Sequence, residues 1–269
     1  MITTSWNGFW LRMFCIGLIT TGGCLSQTEH SSNSPEFMDC AQRDFAALPQ
    51  RILADSKYTL SQPNNVIALS LAAGASIAMH NTAADDNIAG NFERHDTFKG
   101  FSDESLNVIG CPLTHFAATG LWYVLSSENQ DQFNKERAMT MITALSTTGL
   151  TTIALKAIRN NKTPNGKKWA WPSGHTSSSF TAASVLHEFY GPQVGIPAYV
   201  LSSLVAWRMM DTGDHWASDV VFGATLGWVV GHSIAGKHKQ MEIAGFKVIP
   251  YTAAGMTNSL MGVNFVKTF

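Results

Sequence analysis

The 269-residue chain is predicted to fold as an all-α helical bundle, with a short β-hairpin at its C-terminal end as the one exception. Three observations predict this. Apolar segments of helical length recur along the chain, separated by charged or turn-like stretches. Charged residues make up only 14% against 45% apolar, so a chain of this length can bury a substantial core. Alternation of apolar and polar residues appears only near the end, at 246–251 and 262–267, which read as two short strands.

In chain order, the N-terminus reads as a targeting segment. Arg12 precedes a short apolar run at 13–21, too short to span a bilayer but suited to a signal-peptide core. Gly22, Gly23 and Cys24 follow, and small residues before a cysteine resemble a bacterial lipoprotein cleavage box, although Thr21 replaces its usual leucine. Residues 1–24 are therefore a signal peptide or a lipoprotein signal, with Cys24 acylated in the second case. An uncleaved anchor is the remaining reading. Residues 25–37 are polar and Ser-rich, and read as a flexible tether. A single helical domain then occupies 38–269.

Its helices are expected at about 38–56, 64–80, 105–127, 136–159, 174–190, 194–210 and 215–235. The stretch 80–103 is polar and charged, and reads as a long loop with one helical turn. Two charge-free runs approach membrane-spanning length. The run 189–207 is broken by Gly191, Pro192, Gly195 and Pro197, while 138–155 is dense in Thr and Ser. Neither has the Leu/Ile/Val composition that a bilayer favours, so packing on a shared core is expected. The formal net charge is -1, and without a basic field nucleic acid is a poor partner. Of four cysteines, Cys15 goes with the signal and Cys24 is the acylation candidate. Cys40 and Cys111 remain, either as the disulfide that export permits or as two buried free thiols.

The chemistry concentrates in two stretches. Pro172-Ser173-Gly174-His175 opens a helix, where free backbone N–H groups, a hydroxyl and an imidazole can meet one anion. Arg208, His215 and Asp219 follow; at four residues' spacing on a helix, the carboxylate can orient the imidazole. Lys156 and Arg159 can add positive charge.

Lys156…Pro164, Pro172-Ser173-Gly174-His175 and Arg208…His215…Asp219 together resemble the type-2 phosphatidic acid phosphatase (PAP2) superfamily, which includes the vanadium haloperoxidases. The family motifs are Lys-x6-Arg-Pro, Pro-Ser-Gly-His and Ser-Arg-x5-His-x3-Asp. This chain departs from them in three places. Thr163 stands at the arginine position of the first motif, Trp207 stands before Arg208 in place of serine, and one extra residue separates Arg208 from His215. Gly213 permits a tight turn that would absorb the insertion. The lost arginine removes a bidentate phosphate clamp, for which Arg159 or Lys162 are candidate substitutes.

The resemblance implies the acid phosphatase/haloperoxidase bundle and a metal-independent phosphatase acting on a phosphomonoester or pyrophosphate, with a lipid phosphate as the leading substrate. It also implies the roles. Lys156, Ser173, Gly174 and Arg208 would bind phosphate, and His215 would attack phosphorus to give a phosphohistidine, oriented by Asp219. His175, starting protonated, would release the leaving alcohol and then accept a proton from water. No cofactor is implied, although vanadate can occupy the same cradle as a phosphate mimic. The membrane surface is the expected setting, reached through a lipid anchor in the bacterial cell envelope or periplasm.

Other readings stand beside these. A vanadate-dependent haloperoxidase or a non-catalytic phosphate- or lipid-binding relative would share the cradle. No metal ligands are assigned, because the spacing fits no compact zinc motif. Ser173 alone would be an ordinary N-cap, and Lys162, Lys167 and Lys168 read as a solvated loop. His115, His187 and His232 read as packed histidines. Trp169, Trp171 and Trp216 could line an acyl chain or fill core.

Overall fold

The computed structural model describes residues 34–94, 97–239, 241–243, 246–254 and 259–266. Among them run nine helices: α1 (Ser34–Ser61), α2 (Pro63–Asn81), α3 (Ala84–Arg94), α4 (Phe101–Gly110), α5 (Pro112–Glu128), α6 (Gln132–Arg159), α7 (Gly174–Tyr190), α8 (Pro192–Asp211) and α9 (Ala217–His238). Strands β1 (Met241–Ile243), β2 (Phe246–Ala254) and β3 (Ser259–Val266) follow. The targeting segment 1–24 lies outside the described residues, as does the expected tether up to 33; helix begins at Ser34.

The middle of α6 is buried nearly all round despite its Thr-rich sequence, and most of its hydroxyls find partners, Thr147 Oγ1 being the exception. Thr140 and Thr143 donate to the carbonyls of Glu136 and Met139, each at 2.8 Å, and Thr148 pairs with Thr181 of α7 at 2.8 Å. Around it Met141, Leu145, Val185, Phe222, Leu226 and Ile234 form the main apolar cluster. By length and hydropathy α6 could cross a bilayer, and 61% of its most apolar window is buried inside the fold. The pairs α2–α3 and α4–α5 reach that criterion only if each bent pair counts as one span.

Helices α7 and α9 pack closest, through a ladder of glycines. A Cβ on Gly223 would lie 2.9 Å from the Ser173 carbonyl oxygen, one on Gly227 2.2 Å from that of Ser177, and one on Gly231 2.6 Å from that of Thr181. These are backbone atoms of α7 and its cap, which cannot swing away as a side chain can. Alanine favours helix over glycine by about 1 kcal/mol, but overpacking costs about 1–3 kcal/mol, so packing should win at this site. Gly227→Ala is expected to lower the thermal midpoint by several degrees, on the order of 1–3 kcal/mol. A midpoint at or above wild type in a melting experiment would show that the two helices do not approach this closely.

Two expectations change, and one open alternative is decided. The stretch 80–103 holds the three-turn helix α3 rather than one turn, because tertiary contacts support it. Asp85 in its first turn is buried and accepts from Ser218 N (3.0 Å) and Ser218 Oγ (2.6 Å) of α9. The segment expected at 105–127 is two helices bent by 60° at Cys111-Pro112, where proline contributes no N–H. Cys40 and Cys111 are both free thiols rather than a disulfide, and Cys40 Sγ accepts instead from Lys135 Nζ at 2.7 Å. The C-terminal hairpin is present as β2–β3, antiparallel from Lys247↔Val266 to Ala254↔Ser259, with β1 added on the other edge of β2.

Candidate active site

Backbone contact between the starts of two helices builds the site. Ser173 caps α7, accepting from Thr176 N (3.4 Å) and Thr176 Oγ1 (2.9 Å). Its own N–H donates to the Asp219 carbonyl in the first turn of α9, at 3.1 Å. The Pro-Ser-Gly-His stretch and the His215/Asp219 pair are therefore joined directly. Gly174 and His175 carry first-turn N–H groups that helix geometry leaves without an intrahelical acceptor. A Cβ at Gly174 would meet only Thr152 Cγ2, at 3.9 Å, so an anion has room to approach this backbone.

His215 and Asp219 do not share a helix face as expected. His215 lies in the turn before α9, and Asp219 is the third residue of that helix. They still pair, with His215 Nδ1 3.3 Å from Asp219 Oδ2, which also accepts from Trp216 N at 3.0 Å. With Nδ1 donating, the lone pair sits on Nε2, the nitrogen needed for attack. Asp219 is 1% exposed, and its Oδ1 has no hydrogen-bond partner among the described residues. The insertion is absorbed as expected: Gly213 adopts φ 67°, and His215 N donates to the Met209 carbonyl at 2.9 Å.

Arg208 ends α8 nearly buried. Its Nε donates to Asp103 Oδ1 at 2.7 Å and its Nη1 to Asp214 Oδ2 at 2.9 Å. Lys156, also expected on phosphate, donates instead to the carbonyls of Trp169 and Ala170, the latter at 3.1 Å, and so ties the approach to Ser173 down onto α6. Burial pushes its ammonium down to about 8, against the pull of Asp219.

His175 is pushed down to about 4, first by burial and then by the positive charges of His215 and Arg208. The two imidazoles therefore share one electrostatic site. Burial thus favours the neutral form of His175, whereas the general-acid role expected of it needs the protonated form. An incoming dianion must supply the proton affinity.

His115 belongs to this neighbourhood, a role the sequence reading missed. Its Nδ1 lies 3.2 Å from Ser178 Oγ, one turn beyond His175, and its charge adds to those acting on His175. Burial pushes it, too, down to about 4. Only the apolar look of 111–120 marked it, and that pattern equally describes a core histidine. Of the tryptophans, Trp171 is core, stacked at 4.4 Å on Phe222 with its Nε1 donating to Ser76, while Trp169 is half exposed.

Two neutral histidines predict a pH effect on stability. In the unfolded chain they take up protons near 6.5, but in the folded protein not until about 4. Their contribution to stability is therefore flat above pH 6.5 and falls between 6.5 and 4, by at most about 3 kcal/mol for each group. Denaturant midpoints across that range check this. His115→Gln should roughly halve the slope, and an unchanged slope would mean that His115 titrates normally.

Residues 111–240 match the PAP2 superfamily, a span containing all the site residues but Asp103. The lipid A 1-phosphatase of Porphyromonas gingivalis is 37% identical over 65 residues, 23% of this chain; the match spans only 15% of that relative's length. The crystal structure of a transmembrane PAP2-type phosphatidylglycerolphosphate phosphatase from Bacillus subtilis superposes with a TM-score of 0.54. It covers 66% of this chain and 97% of its own, at 19% identity, and shows the shared helical fold.

Proposed function

We propose that this chain, whose residues 111–240 belong to the PAP2 superfamily, is a phosphoric ester hydrolase of the bacterial envelope that acts on a lipid phosphate through a phosphohistidine. The observation that carries the reading is the joining of the two histidine stretches by the Ser173–Asp219 backbone bond at 3.1 Å. That bond sets the stretch of His175 against the stretch of His215 and Asp219, which supports reading them as general acid and oriented nucleophile.

In this mechanism the phosphate oxygens take the free N–H groups of Gly174 and His175, together with the guanidinium of Arg208. Lys156 adds positive charge from behind the loop. Ser173, whose Oγ accepts both bonds from Thr176, keeps a hydrogen to donate. His215 Nε2 attacks phosphorus as the P–O ester bond breaks, and Asp219 stabilises the positive charge that develops on the ring. His175, protonated once the dianion is bound, gives its proton to the leaving oxygen. Neutral again, it takes a proton from the water that cleaves the phosphohistidine.

Apolar surface supports a lipid substrate. On α8 alone Val194, Ile196, Val200, Leu201, Leu204 and Trp207 are exposed, far more than scattered surface residues. An apolar groove between α7, α8 and α9, lined by Phe180, Tyr199, Ala224, Thr225 and Trp228, would suit an acyl chain. Residues 1–24 would direct export, with Cys24 lipidated to hold the domain at the membrane.

The test is phosphate release by the purified full-length protein from lipid phosphates in mixed micelles and from soluble esters, at several pH values. Release from lipid phosphates faster than from soluble esters supports the reading. Release no greater than that of a His215→Ala control from every ester would sink it. Soluble esters cleaved as fast as lipids would remove the lipid assignment.

A further inference from the structure

Thr163 stands where the family carries a phosphate-clamping arginine, and neither candidate substitute takes that place. Arg159 lies over the Trp171 ring, 5.4 Å from its centre, and Lys162 contributes its main-chain carbonyl to Trp216 Nε1 at 2.7 Å. The charge arrives from another residue of the same loop. Thr163, nearly buried, folds the loop back on itself. Its N–H donates to the Lys167 carbonyl (2.9 Å), and its Oγ1 accepts from Lys167 N (2.9 Å) while donating to Asn165 Oδ1 (2.6 Å). Gly166, at φ 82°, makes the reversal.

The folded loop then docks on the turn that carries the nucleophile. Asn165 N donates to the Gly213 carbonyl at 3.1 Å and Asn165 Nδ2 to Asp214 Oδ1 at 2.9 Å. Lys167 Nζ reaches the same oxygen at 2.7 Å, while Asp214 Oδ2 holds Arg208 Nη1 at 2.9 Å. Asp214, the residue before His215, thus bridges two cations, Lys167 and Arg208. Burial would raise its carboxyl, but the bonds from Lys167 and Asn165 outweigh that and hold it down to about 2, so it remains an anion at any working pH.

Resting on the phosphatase reading, we infer that Lys167 is a phosphate-binding residue of this site and replaces the missing arginine. Its side chain is 69% exposed and anchored only at its tip, so the ammonium is free to move from Asp214 onto a substrate oxygen. Asp214 is the positioning residue that keeps Lys167 and Arg208 side by side until the substrate arrives. A carboxylate between two cations also offsets their mutual repulsion.

Lys167→Gln separates charge from scaffolding, because glutamine keeps a donor for Asp214 and loses the charge. In steady-state assays it should raise KM on the order of tenfold, leave kcat within about twofold and leave the thermal midpoint unchanged. Lys167→Arg should stay near wild type, and Lys168→Gln in the same loop serves as the control. Affinity for inorganic phosphate, measured by calorimetry, should fall in parallel with the KM change. That binding arm reads Lys167 even if wild type proves to be no phosphatase, so the two ideas fail separately. Unchanged KM and phosphate affinity in Lys167→Gln would overturn the inference. A lowered kcat or melting point with unchanged phosphate affinity would overturn it too, since that describes scaffolding alone.

Discussion

His215→Ala is expected to reduce single-turnover phosphate release by at least about a thousandfold, while leaving the fold intact. The size follows from the mechanism: without the imidazole there is no phosphohistidine, and only positioning by Arg208 and the α7 N–H groups remains. His215 is 9% exposed and sits in a turn whose backbone bond to Met209 does not use the side chain, so removing the ring costs little scaffold. Asp219→Asn should cost less than His215→Ala, because the nucleophile stays while its orientation and charge support weaken. It should, however, cost stability as well, since Asp219 Oδ2 also accepts from Trp216 N at the start of α9. Acid-quenched enzyme carrying labelled phosphate on His215 would confirm the intermediate. A fully active His215→Ala variant, or label on another residue, would remove the nucleophile assignment.

His175→Asn is expected to lower turnover of alkyl phosphates by about 100- to 10,000-fold, but that of an activated aryl phosphate far less in the first step. An alkoxide needs a proton to leave, whereas an activated phenoxide leaves without one. With the aryl ester a burst of phenol should appear, because hydrolysis of the phosphohistidine still lacks its general base. The pH profile carries the second signature. Burial and the charges of His215 and Arg208 hold His175 down to about 4 in the empty site, so kcat/KM should not show an acid–base break from this group near 6.5. Binding of a dianion should raise it, so the break in kcat should lie at higher pH than the one in kcat/KM. Equal losses for alkyl and aryl esters, with no burst, would argue that His175 only binds phosphate.

Much of this was legible in the chain itself. The helical spacing predicted α2, α6, α7, α8 and α9 to within a few residues at most ends, and alternation near the terminus predicted β2 and β3. What misled was local reading of segments that tertiary contacts decide. The polar stretch at 84–94 is helical because Asp85 finds the start of α9, a partner 133 residues away. Spacing left Cys40 and Cys111 open between a disulfide and two free thiols, and the fold decides for free thiols, with Cys40 accepting from Lys135. The Thr-rich run of α6, by contrast, was expected to pack on a shared core, and its paired hydroxyls bond within the helix or across to α7.

The site divides the same way. Residue types and spacing singled out the candidate groups, since a Ser-Gly-His helix start and an imidazole four residues before a carboxylate are set by covalent order. They could not determine what each cation faces when no substrate is bound. Only the tertiary structure turned Lys156 toward the carbonyls of Trp169 and Ala170, placed Arg208 between Asp103 and Asp214, and brought Lys167 onto Asp214 by docking the 163–167 loop on the Gly213–Asp214 turn. Such choices are made by charges and close contacts between segments far apart in sequence, and a linear pattern carries no record of those distances.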